Sequence, residues 1–269
     1  MRRDETRSHR RRTARLARAC SLGAALTALL LAPVRPVTAQ TTREEPGMSG
    51  MHGMEWGREL FLLSEVLEFV PGGIDRPVRY DLVGWAGGAS KRLWAKADGE
   101  HGTRAGGGET AVQLLYGRQL TAWWDGQLGV KLDAHYGEGS TSTRTSLALG
   151  VQGLAPGWFE VEPTLFVSQD GDVSASLEAS YDLLFTQRLV LQPSLETTVA
   201  AQAVPAFGVG SGVNDVELGL RLRYELRREL APYVGFTWAR RLGGTADLAH
   251  ASGTPVREVS LVAGLRLWR

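Results

Sequence analysis

Three methionines, Met48, Met51 and Met54, sit three residues apart in "MSGMHGM", with His52 between them. The chain has four methionines in all, and the remaining one is Met1. Thioether sulfur is a soft donor that suits Cu(I), and imidazole suits copper in either oxidation state. A spacing of three in an unstructured segment lets neighbouring sulfurs converge on one ion. The competing reading is an apolar linker in which methionine carries no chemistry. All methionine after the start lies in this one stretch, beside a histidine. Met48, Met51, His52 and Met54 are therefore candidate ligands for one copper ion, with Cu(I) favoured.

The elements before this stretch locate it. "MRRDETRSHRRRTARLAR" carries eight arginines, "SLGAALTALLLAP" is a short apolar run, and "VTAQ" offers small residues before a cut after Ala39. This is the three-part pattern of a secretory signal peptide over residues 1–39, too short in its apolar part to span a bilayer. Cys20, the sole cysteine, falls inside it, so the exported chain has no disulfide. Cleavage removes nine basic and two acidic side chains from the 30 and 29 of the whole, leaving 21 and 27 and a net charge of −6. That balance argues against nucleic acid as a partner and is compatible with a cation. Residues 40–57 are polar and glycine-containing without an apolar period, and read as a short flexible tail.

From residue 58 to 269 the pattern changes to alternation. In "VELGLRLRYEL", Val216, Leu218, Leu220, Leu222, Tyr224 and Leu226 share one face, while Glu217, Gly219, Arg221, Arg223 and Glu225 share the other. "VSASLEASYDL" and "FEVEPTLFV" repeat the pattern. Such strands need an apolar neighbour for one face. A soluble sandwich supplies it by sheet packing, and an outer-membrane barrel supplies it with lipid.

Segment length, rhythm and tryptophan favour the barrel. Strands are expected near 58–70, 77–88, 91–100, 109–119, 123–136, 143–154, 158–168, 172–185, 188–201, 214–226, 230–242 and 256–268, an even count of twelve. Tight turns ("GGAS", "APG", "TQ", "RRE") alternate with longer loops ("EHGTRAGGG", "GEGSTST", "VPAFGVGSG", "GGTADLAHASGTP"), as short periplasmic turns alternate with longer outer loops. With both termini in the periplasm, seven of eight tryptophans fall toward the periplasmic rim and Trp238 does not, where indoles belong at the lipid–water boundary. The expected fold is an all-β, antiparallel transmembrane barrel of about twelve strands in the outer membrane of a Gram-negative cell, in contact with its lipid, with its N-terminal tail in the periplasm.

"LYGRQLTAWWDGQLGVKLD" (115–133), "YDLLFTQRLVLQPSLE" (181–196) and "PYVGFTWARRLGG" (232–244), together with "RLWAKADGE" and "ELFLLSEVLEF", resemble the copper resistance protein B family over nearly all of 57–269. The resemblance implies an outer-membrane protein of copper tolerance, with a methionine- and histidine-rich region before the barrel and a periplasmic copper oxidase or carrier nearby. "MSGMHGM" stands in the place of that region, and the last strand ends "GLRLWR", an arginine after the terminal aromatic.

By phase the lumen face holds Asp125, Lys131, Asp133, His135, Arg144, Glu160, Glu162, Glu178, Asp182, Glu196, Glu217, Arg221, Arg223 and Glu225. Most of these read as a solvated, salt-bridged interior. His101, His135 and His250 all fall toward the outer rim and form a second candidate copper cluster, although isolated surface histidines are the simpler reading of each. No Gly-x-Ser-x-Gly elbow, His-Glu-x-x-His helix, cysteine nucleophile or phosphate-cradling loop is present. The expected function is non-enzymatic: copper binding, or copper movement across the outer membrane. The alternatives are a porin-like barrel without metal specificity and a barrel hydrolase.

Overall fold

The computed structural model of the chain describes residues 59–71, 77–103, 106–137 and 140–269. The segments expected to be a signal peptide (1–39) and a tail (40–57), with Trp56, lie outside the described residues. The strands are β1 (Glu59–Phe69), β2 (Val78–Gly87), β3 (Lys91–His101), β4 (Gly108–Gln119), β5 (Trp124–Gly137), β6 (Ser140–Ala155) and β7 (Phe159–Ser168). They continue with β8 (Val173–Ser180), β9 (Leu183–Leu184), β10 (Leu189–Ala200), β11 (Gly212–Tyr224), β12 (Leu230–Arg241) and β13 (Arg257–Trp268). One helix, α1, spans Gly243–Ser252.

Each strand pairs antiparallel with its neighbours in the chain, β10 pairs with β11, and β13 returns to β1. β8 and β9 are two pieces of one crossing, both held by β10, so the described residues form a closed wall of twelve crossings. The break between them has a cause in the sequence. Tyr181 N–H donates to the Pro193 carbonyl over 3.1 Å. The reciprocal bond of that pair is impossible, because proline has no N–H. Pro163 acts in the same way on β7: the β6–β7 ladder skips Val151 and Gln152 and resumes in unchanged register.

Alternation is what the wall imposes. Leu218, Leu220, Leu222 and Tyr224 of β11 are exposed on the outer face, as are Val112, Leu114 and Tyr116 of β4 and Leu128, Val130 and Leu132 of β5. An apolar girdle of this extent has no place in water and matches the lipid-facing surface of a membrane barrel. Two backbone details shape the wall. A bulge near Glu65 shifts the register of β1 against both β2 and β13. The short connections at 88–90, 120–123, 156–158, 185–188 and 225–229 define a turn end, and the remaining connections a loop end.

The structure departs from the sequence reading at three places. "GEGSTST" is largely not a loop, because β5 runs to Gly137 and β6 begins at Ser140. "GGTADLAHASGTP" contains α1, closed by Gly253 at φ +73°, whose N–H reaches the carbonyls of Ala249 and His250. Tryptophans do gather at the turn end, and Trp123 and Trp158 are exposed there. Trp85 and Trp94, however, share the parity of lumen-facing Val83 and Lys96 and point into the barrel, with their ring centroids 6.2 Å apart.

Candidate functional site

Register turns separate glutamates into one row. Glu162 of β7 lies opposite Glu178 of β8, Glu178 opposite Glu196 of β10, and Glu196 opposite Glu217 of β11. Glu217 pairs with Ala239, and Ala239 with Glu258 of β13. Five glutamates thus occupy six successive inward positions around half the wall. Directly opposed side chains have Cβ atoms about 4.5–5.5 Å apart, and like charges so placed destabilise a sheet. A second acidic pair, Asp81 opposite Asp98, faces inward from β2 and β3.

Cations reach this row at two of its members among the described residues, Glu162 and Glu217. Lys96 Nζ is bonded to Glu162 Oε1. Arg79 reaches across the lumen, with Nε 2.6 Å from Glu100 and Nη1 3.3 Å from Glu217. Arg221 pairs with Glu68 at 2.7 Å, Arg223 with Asp182 at 2.8 Å and Arg266 with Glu65 at 3.4 Å. Among the described residues, no Lys, Arg or His nitrogen lies within 4.0 Å of the carboxylates of Asp81, Asp98, Glu178 or Glu196. Glu178 and Glu196, in the middle of the row, are open to solvent inside the barrel.

Across β2–β7 the inward face holds an apolar patch. Following the ladders, Trp94 pairs with Leu115, Leu115 with Gly129, Gly129 with Ala148 and Ala148 with Phe166. Trp94, Leu115, Ala148 and Phe166 are buried together, with Val83 and Trp85 against them. Glycine is required where the indole lies on the wall: a Cβ at Gly117 would stand 2.5 Å from Trp94 Nε1. The acidic row thus shares the lumen with an apolar patch that is itself flanked by the ion pairs Lys131–Asp133, Arg144–Asp133 and Arg92–Asp125.

The loop end is partly covered. Pro205–Phe207 forms a single 3₁₀ turn between β10 and β11. It carries Phe207 across the mouth, where the ring centroid stands 5.4 Å from that of His135 and the Arg144 guanidinium lies 4.8 Å from the ring. Thr245 of α1 anchors the same loop: its hydroxyl accepts from Gly210 N–H at 2.9 Å and lies 3.2 Å from the Asn214 amide. At the same end is a cavity of about 540 Å³ lined by Glu100, Glu109, His135, Ser142 and Arg241 among others.

The candidate ligands are distributed as follows. His135 faces inward, with Nδ1 3.7 Å from Glu109. His101 stacks on Tyr136 at 5.9 Å, with the parity of the outer face. His250 sits in the last turn of α1. All three are at the loop end, and the structure does not bring them together: among the described residues, no group of three or more His, Cys, Asp or Glu side chains is arranged to hold a metal ion. Met48, Met51, His52 and Met54 lie outside the described residues.

Sequence phase found Glu162, Glu178, Glu196 and Glu217, but not Glu68, Arg79, Asp81, Lys96, Asp98 or Glu258. In β2 the inward face reads Arg79, Asp81, Val83, Trp85, so the apolar patch of the lumen erases the alternation that would have exposed Asp81. The signal that remained is two charges two positions apart, Arg79 and Asp81, ahead of Val83 and Trp85.

The sequence model of the copper resistance protein B precursor family matches residues 59–269, the whole of the wall. The chain belongs to the copper resistance protein B family. It is 38% identical over 240 residues to copper resistance protein B of Escherichia coli, covering 88% of this chain and 78% of that protein. It is 38% identical over 237 residues to the copper resistance protein B homolog of Pseudomonas syringae pv. tomato, covering 88% and 79%. Among solved structures the NanC porin is similar at a TM-score of 0.48 and 12% identity, over 78% of this chain and 99% of that one.

Proposed function

We propose that this barrel serves copper resistance in the outer membrane, with its turn end in the periplasm, by drawing copper ions along the acidic wall of its lumen. The observation that carries this reading is the row Glu162–Glu178–Glu196–Glu217–Glu258, in which Glu178 and Glu196 face water and have no cation partner among the described residues. Such a wall raises the local concentration of cations in a narrow space. Carboxylate oxygen is a poor discriminator for copper, so the row guides ions without selecting them. Selection falls to the soft donors of Met48, Met51 and Met54, with His52, on the segment that precedes β1. The family's name and the relatives' names support copper as the metal, and the acidic row supports the lumen as its route.

The test is a Cu(I) titration of refolded chain 40–269, and of the same chain lacking 40–57, beside copper tolerance of cells lacking the protein. Copper-sensitive growth on deletion, restored by the wild type and not by a Met48/Met51/Met54 triple substitution to Leu, supports the reading. Copper tolerance unaffected by deletion leaves a porin-like barrel without metal specificity.

A further inference from the structure

The outer face of the wall is apolar except at its rims. At the loop end Arg240 of β12 and Arg257 of β13 are direct cross-strand partners, and both are exposed. Arg240 shares the parity of Phe236 and Trp238, so both stems leave the wall on the lipid side. Among the described residues no carboxylate lies within 4.0 Å of either guanidinium. Two like charges placed opposite each other without a counter-ion weaken the ladder that holds them.

Their height identifies what lies beside them. Arg240 stands ten positions along β12 from Leu230 at the turn end. At about 3.4 Å per residue and a tilt of about 40°, that is about 26 Å of height, the thickness of a barrel's apolar band. Trp238 lies just below, with the Arg257 guanidinium 6.0 Å from its ring, as an indole does at the lipid–water boundary.

We infer that Arg240, Arg257 and Trp238 form a binding site for the headgroup phosphate of the phosphorylated glycolipid of the outer leaflet. This inference rests on the proposed orientation, with the loop end outward. Paired guanidinium groups present parallel N–H donors that match phosphate oxygens and accept them as the missing counter-ion. The turn end carries its own outward pair, Lys91 opposite Arg118, both exposed, which faces the other leaflet and provides an internal control.

The experiment offers the refolded barrel in detergent an equimolar mixture of diphosphorylated lipid A, its dephosphorylated form and phosphatidylglycerol, and reads occupancy by native mass spectrometry. The wild type retains the phosphorylated glycolipid, and R240Q/R257Q lowers its occupancy about ten-fold or more. R240K/R257K keeps part of the binding, and K91Q/R118Q keeps all of it. Heat-dependent gel mobility establishes that each variant is folded. Equal occupancy in R240Q/R257Q, equal retention of the dephosphorylated lipid, or a preference for phosphatidylglycerol overturns the inference. Copper tolerance is not a readout here, so failure of the lipid site and failure of the copper reading are separable.

Discussion

Arg221 Nε lies 2.7 Å from Glu68 Oε1, and the bond joins β11 to β1 past the two strands between them. The Glu68 side chain is 0% exposed and that of Arg221 is 12% exposed. Removing one partner of such a pair leaves a desolvated charge, at a cost of about 3–5 kcal/mol. Glu68→Ala is expected to lower stability by that amount in urea unfolding of the micelle-bound barrel. The double variant E68A/R221M recovers part of the loss. An unchanged midpoint for E68A shows that the pair contributes nothing.

Stability and function are expected to move in opposite directions at the acidic row. Glu178 and Glu196 are opposed to each other and to acidic neighbours on both sides. Removing like-charge contacts of about 0.2–1 kcal/mol each makes E178Q/E196Q more stable than wild type by roughly 0.5–2 kcal/mol. The same variant lowers copper tolerance toward that of the deletion. Urea midpoints and growth on graded copper measure the two effects, and a variant with full tolerance excludes the row from copper handling.

Phe207 is expected to limit access through the mouth. Its ring meets His135 and Arg144, side chains that belong to β5 and β6. Phe207→Ala removes both contacts, so small neutral solutes are expected to enter proteoliposomes several-fold faster than through wild type, with little change in stability. Equal swelling rates mean the 3₁₀ turn does not limit access.

Gly117 makes room for an indole. A larger side chain there must displace Trp94 from the apolar patch, and overpacking of this kind costs about 1–3 kcal/mol. Gly117→Val is expected to unfold earlier in urea by that amount and to shift tryptophan emission to the red. An unshifted spectrum shows that Trp94 does not need the space.

The crossings were legible because lipid enforces a simple rule on every strand. "VELGLRLRYEL" could be read directly as β11, with both faces assigned. The rule fails where the lumen is itself apolar: Val83, Trp85 and Trp94 face inward beside lumen charges, and their tryptophans resembled a lipid-boundary girdle. The acidic row was half legible, since each glutamate's face followed from parity, but its continuity depends on registers that pair residues in different segments. α1 could not be read because it lacks a side-chain N-cap bond and is held by Thr245 to Gly210 and Asn214, contacts that exist only after folding. The methionine segment, where the sequence speaks most plainly of copper, precedes the described wall.

The bulge near Glu65 has a consequence for how the protein is built. Most neighbouring strands pair almost residue by residue as short hairpins, and such local contacts form early. β1 and β13 pair through Leu63–Trp268, Ser64–Leu267, Glu68–Gly264 and Phe69–Ala263, on either side of the shift, while Leu62 and Arg269 exchange backbone hydrogen bonds and Arg266 reaches Glu65. This junction joins opposite ends of the chain and carries the largest loop-closure entropy in the molecule. On loop length alone it is the join expected to form last in assembly. Until it forms, the nascent sheet has two raw edges that lipid cannot satisfy.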